Sequence, residues 1–217
     1  MATRYTLIVG TKDWSSWSLR PYVALRHIGA SFDEEVVPLR RETSSPEILK
    51  YSPAGRVPVL KIEEDGQSYM VWDSLAICET LADRHPEAKL WPDDLHARAL
   101  ARAYAAEMHS GFPDLREQLS MDFARRLPLP ALREATKTQI ARILVAWSEA
   151  LDAHGGGFLF GRFSVADCMY APVVSRFITY GVDVPPAVRD YMARMMELPA
   201  MRDWGKAAEA EVAAGLA

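Results

Sequence analysis

The apolar periodicity of this 217-residue chain changes once, across Pro86–Asp94, and that change restricts the possible folds more than any other feature. Before it, short β-type runs alternate with segments of helical period; after it, every segment has helical period. Thr6–Val9 reads as a strand and Ser16–Ile28 as a helix with Leu19, Val23, Leu25 and Ile28 apolar, closed by Gly29. Phe32–Leu39 is a second strand, ended by Pro38 and the pair Arg40-Arg41, and Ser45-Pro46 opens a short helix. Val57–Ile62 and Ser68–Trp72 read as strands joined across Glu64-Asp65-Gly66, a hairpin signal. Asp73 then opens a helix carrying Leu75, Ile77, Cys78, Leu81 and Ala82, which stops at His85-Pro86. The order β-α-β-α-β-β-α predicts parallel crossovers through the first three strands and an antiparallel hairpin at the end.

Residues 86–94, with Pro86, Pro92 and Asp93-Asp94, read as a linker. Beyond it, Leu95–Arg126, Leu129–His154, Ser164–Tyr180, Ala187–Glu197 and Ala200–Ala214 are helical in pattern and rich in Ala, Leu, Met and Arg. The expected fold class is therefore an α/β domain over 1–85 followed by an all-α helical bundle over 95–217.

Composition removes several classes of function. A net charge of −4 argues against a nucleic-acid surface or a polybasic membrane patch. No apolar run approaches the ~20 residues that cross a bilayer, and Leu7-Ile8-Val9 is too short for a signal region. Cys78 and Cys168 lie far apart in helical patterns without a C-x-x-C pair, as small buried residues of a reducing compartment do. A soluble cytoplasmic protein without structural disulfides, metal, nucleic-acid or membrane partner is expected.

Three stretches of the first half carry candidate chemistry. Trp14-Ser15-Ser16-Trp17-Ser18 sits where a strand turns into a helix, so hydroxyls and unpaired N–H groups gather at the positive end of the dipole. Read alone, the stretch is a helix cap. In Arg56-Val57-Pro58 a proline opens a strand; only ~5–6% of such bonds are cis, so the local sequence favours trans. A cis bond would turn the Val57 backbone outward, ready to pair with an extended peptide. Asp73-Ser74 starts a helix, and there a plain cap competes with a site for a ligand's ammonium and carboxylate.

The element order, the Val57-Pro58 strand start, the Asp73-Ser74 helix start and the all-helical second half together resemble the cytosolic glutathione transferase family over essentially the whole chain. Ser15-Ser16-Trp17-Ser18-Leu19-Arg20-Pro21-Tyr22-Val23-Ala24-Leu25 is similar to the serine-type zeta motif S-S-C-x-W-R-x-x-x-A-L. Gly161-Arg162-Phe163-Ser164-Val165-Ala166-Asp167 resembles the family's buried capping box. The resemblance implies a thioredoxin-like first domain, glutathione as co-substrate and a homodimer. It places the γ-glutamyl end on Asp73 and Ser74, the cysteinyl backbone on Val57 beside a cis Pro58, and a further polar contact at Arg56. Arg40 or Arg41 would meet the glycyl carboxylate. The thiol would reach the serine cluster, with Ser15 as the thiolate-stabilising residue and Ser16 as its alternate.

A thiol with a pKa near 8.5 is mostly protonated at neutral pH, and each unit of lowering needs about 1.4 kcal/mol. One charge-assisted hydrogen bond plus a helix N-terminus can supply that, so the serine needs no basic partner. A Ser-His-Asp hydrolase lacks its G-x-S-x-G elbow here, and Ser15-x-x-Ser18 cannot cycle as a dithiol. The electrophile pocket is expected between the two halves, beside Trp14 or Trp17 and the segment Glu107-Met108-His109-Ser110-Gly111-Phe112, with a kink at Gly111. His109 reads first as a packed histidine and second as an acid/base group, and Met195, Met196 and Met201 as core. The expected activity is conjugation of glutathione to a small hydrophobic electrophile. Trp17, where the zeta motif has cysteine, counts against the alternative, a maleylacetoacetate- or maleylpyruvate-type isomerase. A non-catalytic glutathione-fold binding module is the alternative from another class.

Overall fold

A computed structural model describes residues 3–217. Four strands form one sheet in the order β2-β1-β3-β4: β1 Arg4–Gly10, β2 Phe32–Val37, β3 Val59–Glu64 and β4 Gln67–Val71. β1 and β2 are parallel, with Leu7 opposite Glu34, and the twelve-residue α1 (Ser16–His27) connects them. At 1.5 Å per residue α1 returns the chain over ~18 Å, close to the length of a strand.

The third strand departs from the expected topology. β3 runs antiparallel to β1, with Leu7 opposite Leu60, rather than as a parallel crossover. The physical reason is the length of α2 (Ser44–Leu49): six residues return only ~9 Å. The chain therefore re-enters the sheet at the end where β2 left it. β4 pairs antiparallel with β3 across the expected hairpin, and α3 (Ser74–Arg84) follows.

β1 is buried on both faces, as a central strand must be. Tyr5, Leu7 and Val9 pack with α1 and α3, while Ile8 packs with Val37, Ile48 and Val59 on the α2 side. The first of these clusters continues without a break into the second half through Met108, Trp147, Phe177 and Trp204. One apolar core thus holds α1 rigidly against α7 (Val165–Tyr180), and with it the turn that precedes α1.

In the second half α4 covers Leu95–Ser110, α5 Pro113–Gln118, α6 Glu134–Ala153, α8 Pro186–Glu197 and α9 Pro199–Ala213. The helical pattern read over Leu95–Arg126 breaks at Gly111, whose added Cβ would lie 2.7 Å from the Glu107 carbonyl oxygen, and at Phe112, which takes φ 59°. The pattern from Leu129 becomes helix only at Glu134, because Pro128 and Pro130 lack N–H groups and bias their predecessors toward extended backbone. Met195 and Met201 are fully buried core residues.

The capping box at the start of α7 is present. Asp167 accepts from the Ser164 N–H at 2.8 Å and from the Leu159 N–H at 3.1 Å. Burial pushes its pKa up to about 6 against the pull of those bonds. No helix among the described residues is long and apolar enough to cross a membrane.

Candidate active site

The residues singled out in the sequence converge on one cleft of about 480 Å³, lined by Ser15, Ser16, Arg56, Val57, Asp73 and Ser74, with Trp14, Trp17, Pro58 and His109. Three chain segments build it: the β1–α1 turn, the start of β3 and the start of α3. Each lies at a point where the backbone leaves regular structure and has N–H groups to offer.

At the first segment, Ser15 occupies the N-cap position of α1 yet makes no side-chain cap bond. The local expectation of a capping serine is therefore not met. Its hydroxyl donates instead to Ser18 Oγ at 2.7 Å, which also accepts the Gly10 N–H at 3.2 Å. The missing side chain of Gly10 lets Leu39 pack against this turn, since an added Cβ would strike Leu39 Cδ1 at 2.6 Å. Ser16 is the first residue of the helix rather than its cap. Both serines are buried, at 5% and 6% exposure, and both line the cleft, so a small group seated there meets hydroxyls and a helix N-terminus in a poorly solvated place.

At the second, the Val57–Pro58 bond is cis, against the trans form favoured by the local sequence and in agreement with the resemblance. At the third, the Trp72–Asp73 peptide is also cis. Asp73 Oδ1 accepts from Leu75 N–H at 3.0 Å and Ala76 N–H at 3.3 Å, and Oδ2 lies 3.0 Å from His109 Nε2. Asp73 is thus a helix cap whose second oxygen faces the cleft. Ser74 is fully buried and accepts from Arg20 Nη1 at 3.4 Å.

His109 reaches the cleft from α4, with its ring edge-on to Trp17 at 5.3 Å between centroids. The sequence proposed it as a packed histidine; its bond to Asp73 was not legible, because the partners lie 36 positions apart on different elements. The cations proposed for a carboxylate divide. The Arg40 guanidinium stacks 4.2 Å over the ring of Trp14, a cleft residue, whereas for Arg41 only its backbone N–H is engaged nearby, with Ser44 Oγ. The sequence places Arg20 at the arginine of the motif without a role, and it does not single out Arg116. Their guanidinium carbons lie 4.2 and 4.8 Å from the Trp17 ring, behind the cleft wall. A single arginine in a helical pattern gives no sign that it points inward.

Among the described residues no group of His, Cys, Asp and Glu is placed to hold a metal ion. The arrangement suits a peptide-like ligand: acceptors for an ammonium, N–H donors for a carboxylate, an outward strand edge and hydroxyls for a soft nucleophile.

The chain is similar to known proteins in both of its halves. The family model described as "Glutathione S-transferase, N-terminal domain" matches residues 14–84, and "Glutathione S-transferase, C-terminal domain" matches residues 130–194. A zeta-class glutathione S-transferase of Euphorbia esula is 31% identical over 176 residues, covering 78% of this chain and 76% of the relative. A glutathione transferase homologue from Burkholderia, solved with bound glutathione, superposes with a TM-score of 0.70 at 27% identity, covering 95% of this chain and 98% of its own. A maleylacetoacetate isomerase from Anaeromyxobacter dehalogenans, solved with glutathione in its active site, gives a TM-score of 0.70 at 27% identity, covering 94% and 95%.

Proposed function

Because the chain belongs to the glutathione S-transferase family, with a zeta-class member among its relatives, we propose that it binds glutathione in the cleft and activates its thiol for addition to a small hydrophobic electrophile. The observation that carries this reading is the meeting of Ser15, Val57 beside the cis Pro58, and Asp73-Ser74 in one cleft. Asp73 takes the γ-glutamyl ammonium on the oxygen that now faces His109, and Ser74, the first residue of α3, takes its carboxylate. Val57 pairs with the cysteinyl backbone, Arg56 lies alongside, and Arg40 meets the glycyl carboxylate from the Trp14 side. Ser15 turns its hydroxyl from Ser18 to the sulfur, and Ser16 is the alternate donor. The thiolate gains from that bond, from the α1 dipole and from the positive charge of Arg20 behind Trp17.

The electrophile enters beside the Trp17–His109 pair, where the second half contributes to the cleft. A second reading, glutathione-dependent isomerisation, is favoured by the likeness to the maleylacetoacetate isomerase. Trp17 in place of the zeta cysteine favours conjugation. A homodimer is proposed as well, supported by the exposed apolar side chains of Tyr69, Trp72, Leu95 and Leu100. The two buried free thiols, Cys78 and Cys168, suit a cytoplasmic setting. A panel of aryl halides, hydroperoxides and maleyl compounds, run with glutathione, tests the reading. Turnover of aryl halides is expected; retention on immobilised glutathione without turnover of any member would make the protein a binding module.

A further inference from the structure

Arg20 of α1 and Arg116 of α5 lie against the Trp17 indole, and both act electrostatically with Arg176 of α7; none of the three lines the cleft. Arg20 and Arg176 are 0% and 4% exposed, and Arg116 is half-buried. Arg20 makes one bond, to Ser74 Oγ, and Arg116 donates to the carbonyls of Met108, His109 and Gly111. Among the described residues, Nε and Nη2 of Arg20, Nη1 of Arg116, and Nε and Nη1 of Arg176 are buried and meet no acceptor. The Tyr170 hydroxyl on α7 is likewise buried and unpartnered. Asp73 is the carboxylate nearest in effect to Arg20, and its oxygens are engaged with Leu75, Ala76 and His109.

A guanidinium does not shed its proton as a buried lysine does, so the three charges remain. Burial opposes the charge on Arg20, and Arg116 and Arg176 oppose it further; burial, then Arg116, pushes Arg176 down to about 9. Like charges gathered in a dry interior are strongly destabilising without a counter-charge. The geometry of the free donors says what kind of counter-charge fits. Nε and Nη2 form the edge of the guanidinium that grips both oxygens of a carboxylate, and Arg142 uses that same edge on Glu107 in this protein, at 2.9 and 2.8 Å. In Arg20 this edge is free and fully buried.

We propose that Arg20, Arg116 and Arg176 form a buried binding site for a compact planar oxyanion of the carboxylate type, held side-on by Arg20 and completed by the other two guanidinium groups. The site lies behind the glutathione cleft and is separated from it by Trp17 and Ser74. Its occupancy fixes the back wall of the cleft.

Thermal unfolding of the full chain in sodium formate, against sodium gluconate at equal ionic strength and pH, tests this. Gluconate carries the same carboxylate on a six-carbon polyhydroxy chain, whereas formate has one carbon in all. The expected result is a midpoint that rises saturably with formate, by on the order of 5 °C when formate exceeds its dissociation constant about a hundredfold. The same rise is expected on top of that given by saturating glutathione. Arg176→Met, which removes donors far from the cleft wall, is expected to lose the formate-specific rise. Equal midpoints in formate and gluconate for the wild-type chain would overturn the proposal, whatever the variant's own stability. So would a rise abolished by glutathione, which would place formate in the cleft, or a rise retained in Arg176→Met.

Discussion

Asp73 carries two separable tasks, and two substitutions at this position divide them. Its Oδ1 caps α3 through the Leu75 and Ala76 N–H groups, while its Oδ2 faces His109 and the cleft. Asparagine keeps an oxygen for the cap and is as good an N-cap as aspartate, so Asp73→Asn is expected to change stability by less than about 0.5 kcal/mol. Alanine removes the cap, at about 0.5–2 kcal/mol, which for a chain of this size lowers the unfolding midpoint by about 2–4 °C per kcal/mol. The half-exposed pair with His109 adds little to either value, since solvent screens it. Binding responds differently. Both substitutions take away the charge proposed to meet the γ-glutamyl ammonium, a charge-assisted bond worth about 1.5–3 kcal/mol. Glutathione affinity is therefore expected to fall about 10- to 150-fold in both variants by calorimetric titration. Scanning calorimetry reads the other task on the same samples. If Asp73→Asn binds glutathione as the wild type does, the ammonium assignment fails; if it unfolds as early as Asp73→Ala, the cap assignment fails.

Two further outcomes follow from particular contacts. Gly111→Ala places a methyl group 2.7 Å from the Glu107 carbonyl oxygen; a loss of about 1–3 kcal/mol in urea unfolding is expected from the forced shift, and a neutral result would refute the close approach. Asp167 has its pKa raised from 3.8 to about 6, by burial first. A carboxyl raised on folding binds its proton more tightly in the folded state, so its contribution is fully present below about pH 4 and lost as the pH rises through about 6. The gap corresponds to about 3 kcal/mol. The stability difference between wild type and Asp167→Asn, followed across that window by urea unfolding, is expected to shift in favour of Asp167→Asn as the pH rises, and a flat difference would contradict the burial argument.

What was legible in the sequence and what was not follows from the physics of each element. The Ser15-Ser16, Val57-Pro58 and Asp73-Ser74 stretches were legible because caps, prolines and hydroxyls act locally. Their meeting in one cleft came from the resemblance. The direction of β3 was not legible, because alternation of apolar residues marks a strand without its sense; the six-residue α2 decided it. The isomer at Pro58 was equally closed to local reading. The break at Gly111-Phe112 was signalled by Gly and Pro, whereas the irregular run from Leu119 to Arg133 was read largely as helix from its composition, against the signal of Pro128 and Pro130. The burial of Arg20 was not legible because an arginine within Leu19–Leu25 carries no sign of its direction, whereas α1 is buried by α3 on one side and α7 on another.

The Ser15 assignment is reached most directly by titrating the thiol of glutathione bound to the protein, through the ultraviolet absorbance of the thiolate. For the wild-type chain the bound thiol is expected to ionise about one to two units below the ordinary value near 8.5, which is about 1.4–2.8 kcal/mol of differential stabilisation. In Ser15→Ala most of that lowering is expected to vanish while glutathione stays bound, because Asp73, Ser74 and Val57 are untouched. A bound thiol that titrates at its free value in the wild-type chain would contradict thiol activation itself. An unchanged lowered value in Ser15→Ala would move the role to Ser16 or to the α1 dipole.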